Sequence, residues 1–256
     1  MSNPIQTQLR VIGVIGIREI NAQQASLMYG YAWALVDAAL SVLGLLVMKL
    51  VLKAFNPPGL PPATFILSGA LPWFMWASLY AMPGGAIQRN KRLLSLPVVT
   101  ELDLVLGASL QIMITYSVTL VLTTTISSYI EQAPFPRFPL GILLLLLAIW
   151  VMGVSFGLFL MLVTRVYAPA SKFIQFFLRF ALFLSGVFIP ITRFPSYVWP
   201  DLTWMPMLHV EELIRQYWFY NYVSPVGNAF YLGECVLGMA AFGLLCERYA
   251  RRRLPV

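Results

Sequence analysis

The sequence predicts an all-α polytopic membrane protein with six transmembrane helices, and three observations carry that prediction. Of the 256 residues, 59% are hydrophobic and only 11% charged, whereas an ordinary soluble domain carries about 25% charged residues. Charge-free runs of 25, 27 and 24 residues, at 63–87, 104–130 and 140–163, each exceed the ~20 residues that a helix needs to cross a ~30 Å hydrocarbon core. The 17 Lys and Arg behind the formal charge of +7 lie scattered between apolar runs, which is how membrane topology is written and not how a nucleic-acid face is built.

Residues 1–28 place Leu9, Ile12 and Ile15 among Gln and Arg. They read either as an interface helix on the cytoplasmic surface leading into the first span or as a plain amphipathic anchor. The patch 11–17 runs straight into Arg18 and Glu19 with no small-residue cleavage site, so it is not read as a secretory signal. One transmembrane domain, 29–256, then holds spans at 29–51, 63–87, 104–130, 140–163, 173–191 and 229–246. Asn56-Pro57-Pro58-Gly59 and Ala133-Pro134-Phe135-Pro136 make tight turns, leaving no room for a soluble domain.

Two loops stand out. The first, 88–103, puts Arg89, Lys91 and Arg92 ahead of Leu93, Leu94 and Leu96. This suits a short coupling helix that docks on a cytoplasmic partner, and its basic residues also serve as a positive-inside determinant. The second, 192–228, is too polar to span and too aromatic for a free loop, with Trp199, Trp204, Tyr217, Trp218, Phe219, Tyr220 and Tyr222 among prolines 195, 200, 206 and 225. It reads as two short helices broken near Pro206 that dip into the outer interface as a re-entrant hairpin, or else as an aromatic belt anchoring a surface helix. With both termini cytoplasmic, eleven Lys and Arg fall on the cytoplasmic side and five outside, with Arg179 inside span five. That asymmetry sets the orientation.

Several chemistries lack their residues. None of Lys49, Lys53, Lys91 or Lys172 follows a glycine, so there is no P-loop for ATP. A single histidine, His209, offers no metal set, and Cys235 and Cys246, roughly 16 Å apart on one helix, cannot pair within it. An intramembrane hydrolase would draw on His209 with Ser185 or Ser196, but no oxyanion signature accompanies them. No catalytic residue, metal site or cofactor is therefore assigned.

The chain resembles the ABC-2 type transmembrane subunits, and most of all those that export capsular polysaccharide from Gram-negative bacteria. The resemblance rests on Arg18-Glu19-Ile20 followed by Gly30-Tyr31-x-Trp33-Ala34, on Gly69-Ala70-x-Pro72 with Gly85-Ala86-Ile87, and on Pro206-x-x-His209-Val210-x-Glu212-Leu213-x-Arg215. Asn21 to Gln24 are neutral where such permeases are often basic, and Met205 replaces a common asparagine. The resemblance implies an inner-membrane, multi-pass subunit of an ATP-driven exporter. Its partners would be a second copy of itself, two copies of a cytoplasmic ABC ATPase that hold the ATP and Mg, and a periplasmic co-polymerase-type export protein. The cargo would be a lipid-linked acidic polysaccharide, with another lipid-linked glycan or a lipid, of O-antigen or teichoic acid type, as the alternative.

Under that reading three sets of residues gain roles. Tyr31 and Trp33 on span one, with Phe176, Phe177, Phe180 and Phe183 on span five, would line the channel and stack on sugar rings, or else are ordinary packing aromatics. Asp37 and Arg179 lie at similar depth in spans one and five, where an unpaired charge costs about 3 kcal/mol or more. They form either a salt bridge or a substrate contact. Trp204, His209, Glu212 and Arg215 make a periplasmic gate, the last three sharing a face at three-residue spacing. Alternatively that face is solvated and held by a local pair such as Glu211 with Arg215.

Overall fold

The structure is a computed structural model. It describes residues 4–26 and 60–253, together with the helical positions Val36, Leu40, Leu43, Gly44 and Val47 between them. Regular structure among the described residues is all helical. It comprises α1 (Pro4–Ser26), α2 (Pro62–Arg89), α3 (Glu101–Glu131), α4 (Pro139–Val166), α5 (Ala168–Leu184), α6 (Trp199–Leu202), α7 (Pro206–Trp218) and α8 (Ala229–Arg253), with single 3-10 turns at Lys91–Ser95, Ile191–Arg193 and Ser196–Val198.

Four of these helices, α2, α3, α4 and α8, are long and apolar enough to cross a membrane. They cover the runs expected at 63–87, 104–130, 140–163 and 229–246 and extend them by a few residues. Local chemistry fixes the ends. Proline opens α2 and α4 at the first turn, where its missing N–H is not needed. A capping box opens α3, in which Thr100 N–H donates to Asp103 Oδ2 at 2.8 Å and Asp103 N–H donates to Thr100 Oγ1 at 3.3 Å. Gln132, at φ 55°, closes it in the left-handed region.

The expected fifth span differs. Its helix, α5, starts at Ala168 and stops at Leu184, 17 residues in all, where the hydropathy run at 173–191 predicts continuation. Gly186 takes φ +100°, a conformation open to glycine, and the chain leaves the helix there. First-span residues Tyr31, Trp33 and Asp37 lie outside the described residues. The described positions of that segment, Val36, Leu40, Leu43 and Val47, are helical and exposed.

Packing is that of a helix bundle built for lipid. On α3, Gln111, Thr115, Thr119, Thr124 and Ser127 are buried while Ile114, Val121, Leu122, Ile126 and Ile130 are exposed. A water-soluble helix does the reverse; in hydrocarbon, polar side chains gain by facing other helices. Hydrogen bonds from Trp150 Nε1 to Ser109 Oγ (2.9 Å) and between Thr64 and Ser127 hydroxyls (2.6 Å) tie α3 to α4 and α2. Close backbone approach does the rest. A Cβ at Gly153 would lie 2.6 Å from Leu79 Cβ, at Gly157 2.7 Å from Pro83 Cγ, and at Gly243 2.7 Å from Ser155 Cα, so α2, α4 and α8 touch through small residues. At one end of the bundle α1 lies across the start of α3, its Ile15 against Gly107 and its Gln8 amide donating to Asp103 at 2.7 Å.

Candidate functional site

The densest polar constellation sits around α7. Pro206 starts this helix and Met205 before it is extended, so the chain turns sharply out of α6. The helix is only 13 residues long, yet ten of them are buried, His209, Glu211, Glu212 and Arg215 included. It is wedged against α2, α4 and α8, where its apolar residues Met207, Val210, Leu213 and Ile214 join the main core.

The charges close on one another. Arg215 Nη1 donates to Glu212 Oε1 at 3.2 Å, and Nη2 donates to the Gly186 carbonyl at 2.8 Å. Its guanidinium lies 4.0 Å from the centre of the Phe65 ring, a cation–π contact strengthened by the burial of both groups. Glu212 accepts two further bonds at Oε2, from the hydroxyls of Tyr222 (2.7 Å) and Ser224 (2.8 Å). Burial and the Glu212 carboxylate raise the Tyr222 phenol above its ordinary value, so it stays a donor.

Glu211 is different. It too is fully buried, but neither of its oxygens meets hydrogen-bond geometry with a described residue. Ser185 stands beside it and donates its hydroxyl to the Leu182 carbonyl at 2.9 Å. Burial holds the Glu211 carboxyl well above its usual range; Arg215 and Ser185 oppose that, and Glu212 adds to it. The space is cut by two glycines. A Cβ at Gly69 would stand 2.9 Å from Arg215 Nη2 and 3.4 Å from Glu211 Oε2, and one at Gly186 3.0 Å from Leu208.

His209 works one turn earlier. Its Nε2 donates to the Thr203 carbonyl at 2.8 Å, and its Nδ1 accepts from the Asn228 N–H at 3.2 Å. Only a neutral ring protonated on Nε2 makes both bonds. It thereby staples the turn before α7 to the start of α8, with Tyr231 4.8 Å from the imidazole.

His209, Glu212 and Arg215 thus share one neighbourhood, as their spacing suggests, but all three are enclosed by the chain itself. Trp204 stands apart, 82% exposed. The hydrogen-bonded partner of Arg215 is Glu212, and the Glu211–Arg215 pair is not formed. Phe176, Phe177, Phe180 and Phe183 make one exposed stripe on α5, and Arg179, also exposed, lies beside it near Tyr80. Its proposed partner Asp37 falls outside the described residues. At the opposite end of the bundle Lys91 and Arg92 are exposed, Leu93 and Leu94 half-buried, and Leu94 packs against the core. Arg89 bonds Glu19 of α1 at 2.9 Å, and the exposed apolar groups here are Leu96 and Val98.

Sequence reasoning did not assign Glu211, Tyr222, Ser224 or Gly186 to this site. Two adjacent acidic residues in an apolar helix were the available signal. The partners come from loops 10 and 12 residues further on and could not be read from helix periodicity.

Over nearly its whole length the chain aligns with proteins of one kind. It is 25% identical over 247 residues to the polysialic acid transport protein KpsM of Escherichia coli, covering 95% of this chain and 94% of that protein. The chain is a homologue of capsule polysaccharide export inner-membrane proteins. Two further homologues are the capsule polysaccharide export inner-membrane proteins CtrC of Neisseria meningitidis serogroup A, 26% identical with 93% of this chain and 89% of the relative covered, and BexB of Haemophilus influenzae, 24% identical with 93% and 90% covered. No family model matches the chain.

Proposed function

We propose that this chain is the membrane subunit of an ATP-driven exporter that carries a lipid-linked acidic capsular polysaccharide across the bacterial inner membrane. The observation that carries the reading is the end-to-end similarity to inner-membrane proteins named for capsule polysaccharide export. Four membrane-capable helices with an inward polar stripe on α3 support it.

The chain crosses the membrane six times with both termini in the cytoplasm, so that α1 lies on the inner surface and α6 and α7 form a re-entrant pair at the outer one. Two copies enclose the channel by twofold symmetry, because a single bundle of this size closes on its own core. The exposed Phe176, Phe177, Phe180 and Phe183 stripe, with Tyr31 and Trp33, faces the glycan, whose ring faces slide over aromatic faces. Arg179 with Asp37 lines that path or braces it. His209, Glu212 and Arg215, with Trp204 at the rim, hold the outer end shut, and their enclosure supports the sealing part of this role.

No catalysis or cofactor is assigned to this chain: two copies of a separate ATPase bind ATP and Mg, and hydrolysis there supplies the energy. Arg89, Lys91, Arg92, Leu93 and Leu94 receive that motion, and a periplasmic export protein takes up the product. Deleting the chain should abolish surface glycan while lipid-linked glycan accumulates inside, measured by fractionation and glycan staining. Leu93→Glu should abolish co-purification of the ATPase in detergent with membrane abundance unchanged. Undiminished ATPase binding would overturn the coupling assignment.

A further inference from the structure

A cavity of about 610 Å³ opens between the end of α2, the end of α4 and the start of α5. Its size falls within the roughly 300–1,000 Å³ of small-molecule sites. Its walls mix apolar residues such as Ile87, Leu160 and Met161 with polar ones from all three helices: Tyr80 and Gln88 come from α2, Thr164 from α4, and Ser171 and Gln175 from α5. Thr164 and Ser171 spend their hydroxyl protons on carbonyls of their own helices, Leu160 (2.7 Å) and Ala168 (2.8 Å), and so present acceptor lone pairs. The Gln88 and Gln175 amides offer both donors and acceptors. Arg165, the cation among the lining residues, is held by Glu101 at 2.7 Å, which offsets its charge. Neutral amides and hydroxyls beside an aromatic edge match the alternating donors and acceptors of sugar hydroxyls better than they match a phosphate.

We infer that this cavity is a loading subsite, which holds a terminal sugar of the glycan through its hydroxyls before the chain passes to the exposed aromatic stripe of α5. The inference deepens the exporter reading and rests on it, since that topology puts the ends of α2 and α4 on the cytoplasmic side. Gln175 lies on α5 next to Phe176 and Phe177 in the chain and one helical turn from Arg179, so a sugar released from the cavity meets that helix next.

Gly84 provides the test. It lines the cavity, and a Cβ built on it meets nothing within 4 Å. A larger side chain there fills space without displacing the fold, and leucine also favours helix over glycine. Gly84→Leu should cut surface glycan at least tenfold at unchanged protein abundance and ATPase co-purification, with lipid-linked glycan retained in the cell. Gly238→Leu, where a Cβ also meets nothing within 4 Å but which lies outside the cavity, should export normally. In inverted membrane vesicles of the full assembly, Gly84→Cys should react with an impermeant maleimide above the labelling of the parent chain. Mild-acid fragments of the strain's own surface glycan should slow that reaction at least fivefold, and glycerol phosphate, a lipid headgroup probe, should not.

Normal export by Gly84→Leu overturns the subsite, as does protection by glycerol phosphate alone or no protection at all. Surface glycan that persists when the whole chain is deleted overturns the exporter reading instead.

Discussion

The two helices α7 and α5 invert the usual relation between sequence and burial. In 13 residues α7 carries a histidine, two glutamates and an arginine, and it is buried almost throughout. In 17 residues α5 carries five phenylalanines, and Ser171 is its only buried residue. Water would expel the first helix and bury the second. In a membrane bundle the pressure differs, because polar groups gain by facing other helices. Stability therefore concentrates where polar groups find partners, and the apolar helix is left free to serve a surface that slides or pairs.

The largest way to break this comparison is Arg215→Met. It strands Glu212 without its cation in an enclosed space, and removing one partner of a buried pair costs about 3–5 kcal/mol. We expect the protein to fall sharply in membrane abundance and in thermal stability in detergent. Arg215→Lys should recover only part of the loss, since an ammonium cannot serve Glu212 and the Gly186 carbonyl as a planar fork does. Wild-type melting of Arg215→Met would show that α7 does not depend on its charges.

Next comes Gly69→Ala. The new methyl would press on Arg215 Nη2 at 2.9 Å and on Val187 Cα at 3.1 Å, and the backbone contact has nowhere to go. Overpacking of this kind costs about 1–3 kcal/mol. The same change at Gly84, which faces open space, should be neutral. Equal melting temperatures for the two variants would contradict the tight seat of Arg215.

A subtler effect follows from Glu211. Its carboxyl is held well above the usual value of 4.5, so the folded state binds this proton more tightly than the unfolded state. The stability that the proton provides is fully present below pH 4.5 and is lost as pH rises towards the raised folded value. Glu211→Gln keeps the shape without the ionisation. Melting curves across pH should show that the variant loses less stability than the parent on going from acid to neutral pH. Parallel curves would mean that Glu211 is already ionised and paired.

Smallest in stability should be Phe177→Ala on α5. The side chain is 68% exposed, so its removal leaves no cavity, and the melting temperature should stay within about 1 °C, as surface changes do. Surface glycan should nonetheless fall, because the stripe loses its outermost ring. A large drop in melting temperature without loss of export would make the stripe a packing face.

Legible in the sequence were the positions of four spans and the class of protein, and the proline starts of α2 and α4 and the Thr100–Asp103 cap found in the structure are equally local in origin. Each of these depends on a run, a spacing or a residue pair a few positions apart, and such local physics is complete within the segment that shows it. Three things were decided only by tertiary structure. Helix α5 stops at Leu184 because Gly186 turns there and its carbonyl is taken by Arg215, 29 residues away. Arg215 chooses Glu212 over Glu211 because Tyr222 and Ser224 return to the same carboxylate. Leu94 turns towards the core and leaves Leu96 and Val98 as the exposed apolar groups beside Lys91 and Arg92. A buried charge takes whichever partners distant parts of the chain bring within hydrogen-bond reach, and no local periodicity encodes that choice.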